Sequence, residues 1–476
     1  MKIMSQLSKV DYKKFILPVV VGLIIWFASP IKPASVSMAG WHILAIFVAT
    51  ILGCITQPLP IAGVSLIGIT LTILFGIVPL DDAMLAFGNG TVWMIAMAYI
   101  LSRGFIKTGF GKRIGLTFVK LFGKRTLGLA YALMGVDLVL SPATPSNTAR
   151  SGGIVLPIID SIADSFGSHA NDGTGRKIGS FLVYTAFHGN VIDSAIFLTA
   201  MAPNLVSVAL ATAFHVHITW FSWLAASIVP GILSFLIVPF IIYKMYPPEI
   251  KDTPNAKQWA EDELAKMGKM SLAEKLMAGI FVIALVLWIL SSFIGMEATL
   301  VAFIAVSLLL LTGVITINDV LNEKGAWNVV VWFSILIFMA NELTKLGFIP
   351  WLSHTIATSL HGLSWGLVLA ILCVFYFYIH YLFASGTAHV SAMYGALLGV
   401  AIAAGAPATM SALMLGYTAS LFSSTTHYAS GSASAMFGSG FIDQKDWWKM
   451  NFILGIVYLI IWIGFGSLWM KIIGLW

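Results

Sequence analysis

An all-helical, multi-pass membrane protein made of two related halves is the fold class this sequence predicts. Three observations predict it. The chain is 59% hydrophobic and 10% charged, with a mean hydropathy of +0.94, whereas soluble domains carry about a quarter charged residues. Apolar runs long enough to cross a bilayer follow one another along the chain. Polar landmarks also recur at a nearly constant distance. Trp93 and Trp332, Ser146 and Ser385, and His188 and His427 are each 239 residues apart, and Gly109-Phe110 answers Gly347-Phe348 at 238. Several such matches in order make an internal repeat.

In the first half, runs at 15–28, 43–55, 61–78 and 92–101 read as spans. No cleaved signal peptide is expected, because the first run follows a polar segment and no small-residue cleavage site comes after it. Residues 103–125 mix Lys107, Lys112, Arg113, Lys120 and Lys124 with Phe105, Phe110, Ile114 and Phe118, the pattern of an amphipathic helix at the interface. Then comes SPATPSNTARSGG, from Ser141 to Gly153. Proline removes a backbone donor, and glycine weakens a helix further. Backbone groups freed at membrane depth persist only where protein or a wet cavity satisfies them. The segment about 126–162 is therefore predicted to be a re-entrant hairpin. Its tip, Ser146-Asn147-Thr148, opens a half-helix whose N–H groups point outward, an arrangement suited to anions. A run at 178–210 is expected to break at His188-Gly189-Asn190 and to line the same region, and 220–243 crosses again.

The second half repeats this order. Spans are expected at 281–294, 298–315 and 329–340, an interfacial stretch at 341–360, and a hairpin at about 363–402 with its tip at Ser385-Gly386-Thr387. A run at 410–441 is interrupted around 425–431, and 452–473 ends the chain. The halves are placed at 1–245 and 275–476, joined by a polar linker at 246–274.

Charge sets the expected orientation. With a cytoplasmic N-terminus, Lys2, Lys9, Lys13, Lys14, the basic stretch 103–125, Arg176-Lys177, the lysines from Lys244 to Lys275, and Lys324, Lys445 and Lys449 all fall inside. Of the 26 Lys and Arg, Lys32, Lys345 and Lys471 fall outside and Arg150 is buried. That distribution needs about 11 transmembrane helices plus two hairpins entering from opposite sides, so the two repeats are inverted. The net charge of +6 reflects the same bias and points to no nucleic-acid partner. Cys54 and Cys373 sit alone in apolar runs, so no disulfide, metal or cofactor is expected.

The paired Ser-x-Thr tips, the interfacial arms before them and the broken helices after them resemble the divalent anion/sodium symporter family over essentially the whole chain. Phe197-Leu198-Thr199-Ala200-Met201-Ala202-Pro203-Asn204 is similar to its exchanger branch, the 2-oxoglutarate/malate and citrate/succinate translocators. The resemblance implies a homodimer in a bacterial cytoplasmic membrane, each protomer with a scaffold and a mobile transport domain moving like an elevator. It implies small dicarboxylate substrates held at Ser146, Asn147, Thr148, Ser385, Gly386 and Thr387, with Thr426 and His427 lining the site.

Three departures favour exchange over sodium symport. Gly386 stands where the symporters have asparagine, and Arg150 and His389 each lie four residues after a tip serine, one helical turn on. These two cations are expected to replace sodium, with an unpaired Arg150 holding back the empty carrier. Shallow snorkelling of Arg150 is the alternative. Asp193 reads as a hydrogen-bonded structural aspartate, with a proton site as its alternative. A sodium-coupled dicarboxylate or citrate symporter is the second functional reading. An intramembrane hydrolase lacks a nucleophile motif, and a channel lacks a continuous polar lining.

Overall fold

The computed structural model describes residues 10–359 and 362–476. The expectations for Lys2, Lys9 and Leu360 lie outside the described residues. Eight helices among the described residues are long and apolar enough to cross a membrane, or nine if the bent pair Leu80–Gly88 and Gly90–Thr108 counts as one span. Ile61–Leu74 and Ala298–Leu311 are apolar but shorter. Three of the eight, Thr126–Ala143, Trp365–Leu382 and Gly386–Ala403, lie in the two segments expected to be hairpins, so the long helices alone do not supply the expected 11 spans.

Local chemistry sets the ends of these helices. Asn89 caps Gly90–Thr108 by accepting from the amides of Thr91 and Val92, and Gly109 closes it in the left-handed region at φ 74°. That turn divides the basic stretch. Arg103 and Lys107 belong to the spanning helix, and Phe110–Phe122 forms the separate amphipathic helix. Gly347, at φ 94°, makes the equivalent turn between Lys324–Lys345 and Phe348–Ser359. Ser271 and Glu274 form a capping box at the start of Leu272–Ile294.

The linker is not a loose tether. Its helix Pro254–Met267 packs on Phe110–Phe122. Lys112 meets Glu263 at 3.2 Å and Arg113 meets Glu274 at 2.6 Å. On the spanning helix before that turn, Lys107 pairs at 2.6 Å with Asp319, which caps the short helix Ile317–Leu321. The bonds from Lys107 and then from Thr316 hold the Asp319 carboxyl at about 2. A depressed carboxylate stabilises the fold above its ordinary value, and that contribution is lost as pH falls through the folded value. Thermal unfolding of the native chain and of Asp319→Asn should therefore differ by a constant amount at neutral pH. The difference should shrink below about pH 4 and vanish near 2.

At the centre stands Gly179–Ile196, every residue of which is buried. It packs on Thr126–Leu140 and on Trp220–Met245. The helix runs unbroken through His188-Gly189-Asn190, contrary to expectation, and the chain instead breaks at Phe197–Met201. Three polar or small residues do not interrupt a helix when neighbours satisfy them. His188 meets Tyr458 and Asn451, Asn190 bonds Asp137 and Ser432, and Gly189 admits Met134. The matching break in the second half lies between Ala408–Leu421 and Gly431–Gly438. His188 and His427 are therefore not structural equivalents: one is inside a helix and the other inside a break.

Candidate functional site

Both tips are built in the same way. The chain leaves an apolar helix, Thr126–Leu140 or Trp365–Ile379, through a short 3-10 turn. It then passes through extended backbone until a serine starts the next helix. Ser146 and Ser385 are those N-caps, accepting from the amides of Ala149 at 3.1 Å and Ala388 at 3.3 Å. Capping uses an oxygen lone pair, so each hydroxyl keeps a proton to donate, and that of Ser146 lies within hydrogen-bonding reach of the Tyr99 hydroxyl. Asn147 turns its Oδ1 to the amide of Thr148 at 2.9 Å, which leaves its Nδ2 without a partner among the described residues.

The two tips meet in one cavity of about 200 Å³, lined by Tyr99, residues 145–148, 201–203 and 384–387, and Ser430-Gly431. Among the described residues, no charged side chain lines it. Its polar groups are hydroxyls, one amide and the outward N–H groups of two helix starts, a set suited to carboxylates. A larger cavity of about 440 Å³ lies among Ile16–Phe27, Met38–Thr56 and Ile61–Leu74, lined almost wholly by apolar side chains. It has no array of donors for an anion, so the smaller cavity is the candidate site.

Sequence reading placed Ser146, Asn147, Thr148, Ser385, Gly386 and Thr387, and all six line the cavity. Thr426 and His427 do not. His427 accepts from the indole of Trp448 at 3.1 Å, and Ser430 and Gly431 take the lining position instead. A Cβ on Gly431 would lie 2.3 Å from Thr148 Oγ1, so the second break touches the first tip only because that residue is glycine. Gly386 is less constrained, since a Cβ there would make ordinary contacts with Phe422 and Pro203. His188 and Gly189 lie away from the lining, while Asn190 reaches it indirectly by donating to the Asn147 carbonyl at 3.2 Å. Tyr99 and Met201-Ala202-Pro203 were missed as lining. The interruption at Pro203 was the available signal for the latter.

Arg150 does not snorkel; it is fully buried. Its Nε pairs with Asp137 Oδ1 at 3.0 Å, and its other nitrogens donate to the carbonyls of Thr144 and Ala200 and to Ser194 Oγ at 3.0 Å. The expected unpaired guanidinium is thus corrected: Asp137, thirteen residues earlier on the first arm, neutralises it. Thr144 adjoins the first tip and Ala200 adjoins Met201, so the guanidinium ties together two walls of the cavity. His389 sits behind the second tip, stacked on Phe383 and Phe422 at 4.1 and 4.7 Å, with its Nδ1 2.9 Å from Nδ1 of His380. Asp193, expected to be hydrogen-bonded, presents two buried oxygens that meet no donor among the described residues.

Paired helix breaks facing one small, uncharged, donor-rich cavity inside a multi-pass helical body define a membrane carrier for an anion. The chain belongs to the family described as the sodium:sulfate symporter transmembrane region, which it matches over residues 9–476. It is 48% identical to YflS of Bacillus subtilis over 98% of both chains. It is 43% identical to dicarboxylate transporter 1, chloroplastic, of Spinacia oleracea, over 98% of this chain and 82% of the relative. Identity to the L-tartrate/succinate antiporter of Shigella boydii is 36%, over 93% and 94%. In fold the chain is similar to the YdaH transporter of Alcanivorax borkumensis, with a TM-score of 0.55 at 13% identity over 85% and 88% of the two chains. These relatives are transporters, not enzymes.

Proposed function

We propose that this protein exchanges small dicarboxylates of the succinate, malate, fumarate and 2-oxoglutarate class across the bacterial cell membrane, without sodium. The observation that carries the reading is the cavity itself. Two capping serines whose hydroxyls can donate, the Asn147 amide, unpartnered among the described residues, and Thr148 and Thr387 surround a space of about 200 Å³ that no charged side chain among those residues lines. Relatives named for dicarboxylate transport and for tartrate/succinate antiport support the substrate class and the exchange mode. Sodium independence rests on the first tip being braced by a fixed internal ion pair, Arg150 with Asp137, rather than by a bound mobile cation.

On this reading each protomer of a homodimer moves its two tips against a scaffold, elevator-fashion, and the Lys and Arg bias along the chain supports two inverted halves with a cytoplasmic N-terminus. Because Arg150 is paired within the protein, exchange is not enforced by an exposed guanidinium. It is favoured by donors at two helix starts that lack acceptors until a dianion fills the cavity. Liposomes carrying the purified protein test the reading. Vesicles loaded with succinate should take up labelled succinate in potassium or choline medium, and empty vesicles should not. Sodium-dependent accumulation in empty vesicles would instead establish the symporter reading.

A further inference from the structure

Just behind the first tip, where the hairpin meets the Gly179–Ile196 helix, lie two buried carboxyl groups and one buried cation. Asp137, Asp193 and Arg150 are each at most 1% exposed. Asp137 accepts from Arg150 Nε at 3.0 Å, from Asn190 Nδ2 at 3.0 and 3.2 Å, and from Ser141 Oγ at 3.2 Å. Asp193 accepts from nothing among the described residues. The charges that act on it are those of Asp137 and Arg150. An ionised carboxylate without a donor, beside a second carboxylate, is among the costliest buried arrangements, and a bound proton removes that cost.

Other titratable groups on the elements packed against the Gly179–Ile196 helix are spent elsewhere. Tyr131 donates to the Leu236 carbonyl, and Tyr417 to that of Trp223. Asp160, Asp164 and Lys244 are exposed, and Arg176 and Lys177 donate to the carbonyls of Pro247 and Gly167. Tyr243 lies half-buried against Phe181. On the same helix His188 is bonded to Tyr458 and Asn451, and Tyr184 is bonded to Asn451. Asp137 and Arg150 are left to set the charge state of Asp193.

We propose that Asp193 holds an exchangeable proton, and that a dianion binds at the adjoining tips more tightly when that proton is present. The proposal rests on the dicarboxylate reading for its ligand. With the proton bound, Asp137, Asp193 and Arg150 sum to zero. Without it the cluster carries one net negative charge, and Arg150 links that charge directly to the Thr144 carbonyl at the foot of the first tip. A dicarboxylate in the cavity is then repelled. Linkage is reciprocal, so succinate binding takes up a proton from solvent when the site is empty of one. No bond to carbon forms or breaks; a carboxylate oxygen gains or loses a proton.

The test uses the full chain, purified in nanodiscs. Infrared spectra of the native protein should show the carbonyl stretch of a protonated buried carboxyl, shifted in heavy water and absent from Asp193→Asn. Succinate affinity, expressed on the dianion concentration, should fall with rising pH by up to about tenfold per unit across the titration. In Asp193→Asn, which mimics the protonated form, that part of the fall should disappear. Should this variant not fold, the native protein alone decides: in weak buffer with a pH indicator, adding succinate should consume protons within the same pH range. A carboxyl band that persists in Asp193→Asn overturns the site, and an affinity with no pH dependence overturns the linkage. A band that vanishes in Asp193→Asn, with no succinate binding at any pH, overturns the dicarboxylate reading and the linkage while establishing the proton site.

Discussion

Arg150→Ala is expected to cost about 3–5 kcal/mol of stability, the range for breaking a buried ion pair from one side, and to abolish exchange. The carboxylate of Asp137 would stay buried with Asn190 and Ser141 as its remaining donors. The Thr144 and Ala200 carbonyls would lose the group that holds them together. Arg150→Lys should recover only part of both properties, because an ammonium has no planar fork to reach oxygens in four directions. Adding Asp137→Asn to Arg150→Ala should restore some stability but not exchange, since it removes the stranded charge without rebuilding the brace. Thermal unfolding and counterflow on the same preparations measure the two effects separately. An Arg150→Ala protein as stable and as active as the native one would show the guanidinium to be idle.

The second large effect is expected at the tips. Ser146→Ala and Ser385→Ala each remove an N-cap, worth about 1 kcal/mol to the helix, and a hydroxyl that can donate to a carboxylate. A hydrogen bond to a charged group is worth about 1.5–3 kcal/mol, so succinate affinity should fall roughly ten- to a hundredfold for each. Asn147→Ala and Thr387→Ala should weaken binding over a similar range without loss of the cap. Isothermal titration on folded protein checks this. Undiminished affinity in all four variants would place the anion elsewhere. The near-symmetric build of the two tips adds a comparison: losses at Ser146 and Ser385 should be of similar size, because each serine caps by accepting from the amide three residues on.

Much of this protein was legible in its sequence, for physical reasons tied to particular residues. A bilayer permits few backbone solutions, so apolar runs announced helices, and SPATPSNTARSGG announced a break between them. Serine before a helix is a strong local signal, and both tips were found by it. The amphipathic stretch resolved into a helix at Phe110–Phe122 because glycine at 109 can adopt the left-handed turn.

What the sequence could not decide was which polar groups meet. His188-Gly189-Asn190 looked like a break, yet Tyr458, Asn451, Asp137 and Ser432 satisfy those side chains from other helices, and the backbone stays helical. The real break at Phe197–Met201 is held open from outside: Arg150, some fifty residues earlier, takes the Ala200 carbonyl. Arg150 looked unpaired because its partner, Asp137, lies beyond the tip on the other arm and is reached only when the hairpin closes. Asp193 looked ordinary in its apolar run, and only the packing of three elements leaves it facing a carboxylate and a guanidinium without a donor of its own. Helices and caps depend on neighbours a turn away, which a linear sequence displays. Charge balance in a low-dielectric interior depends on groups brought together across the fold, and only the tertiary structure sets those distances.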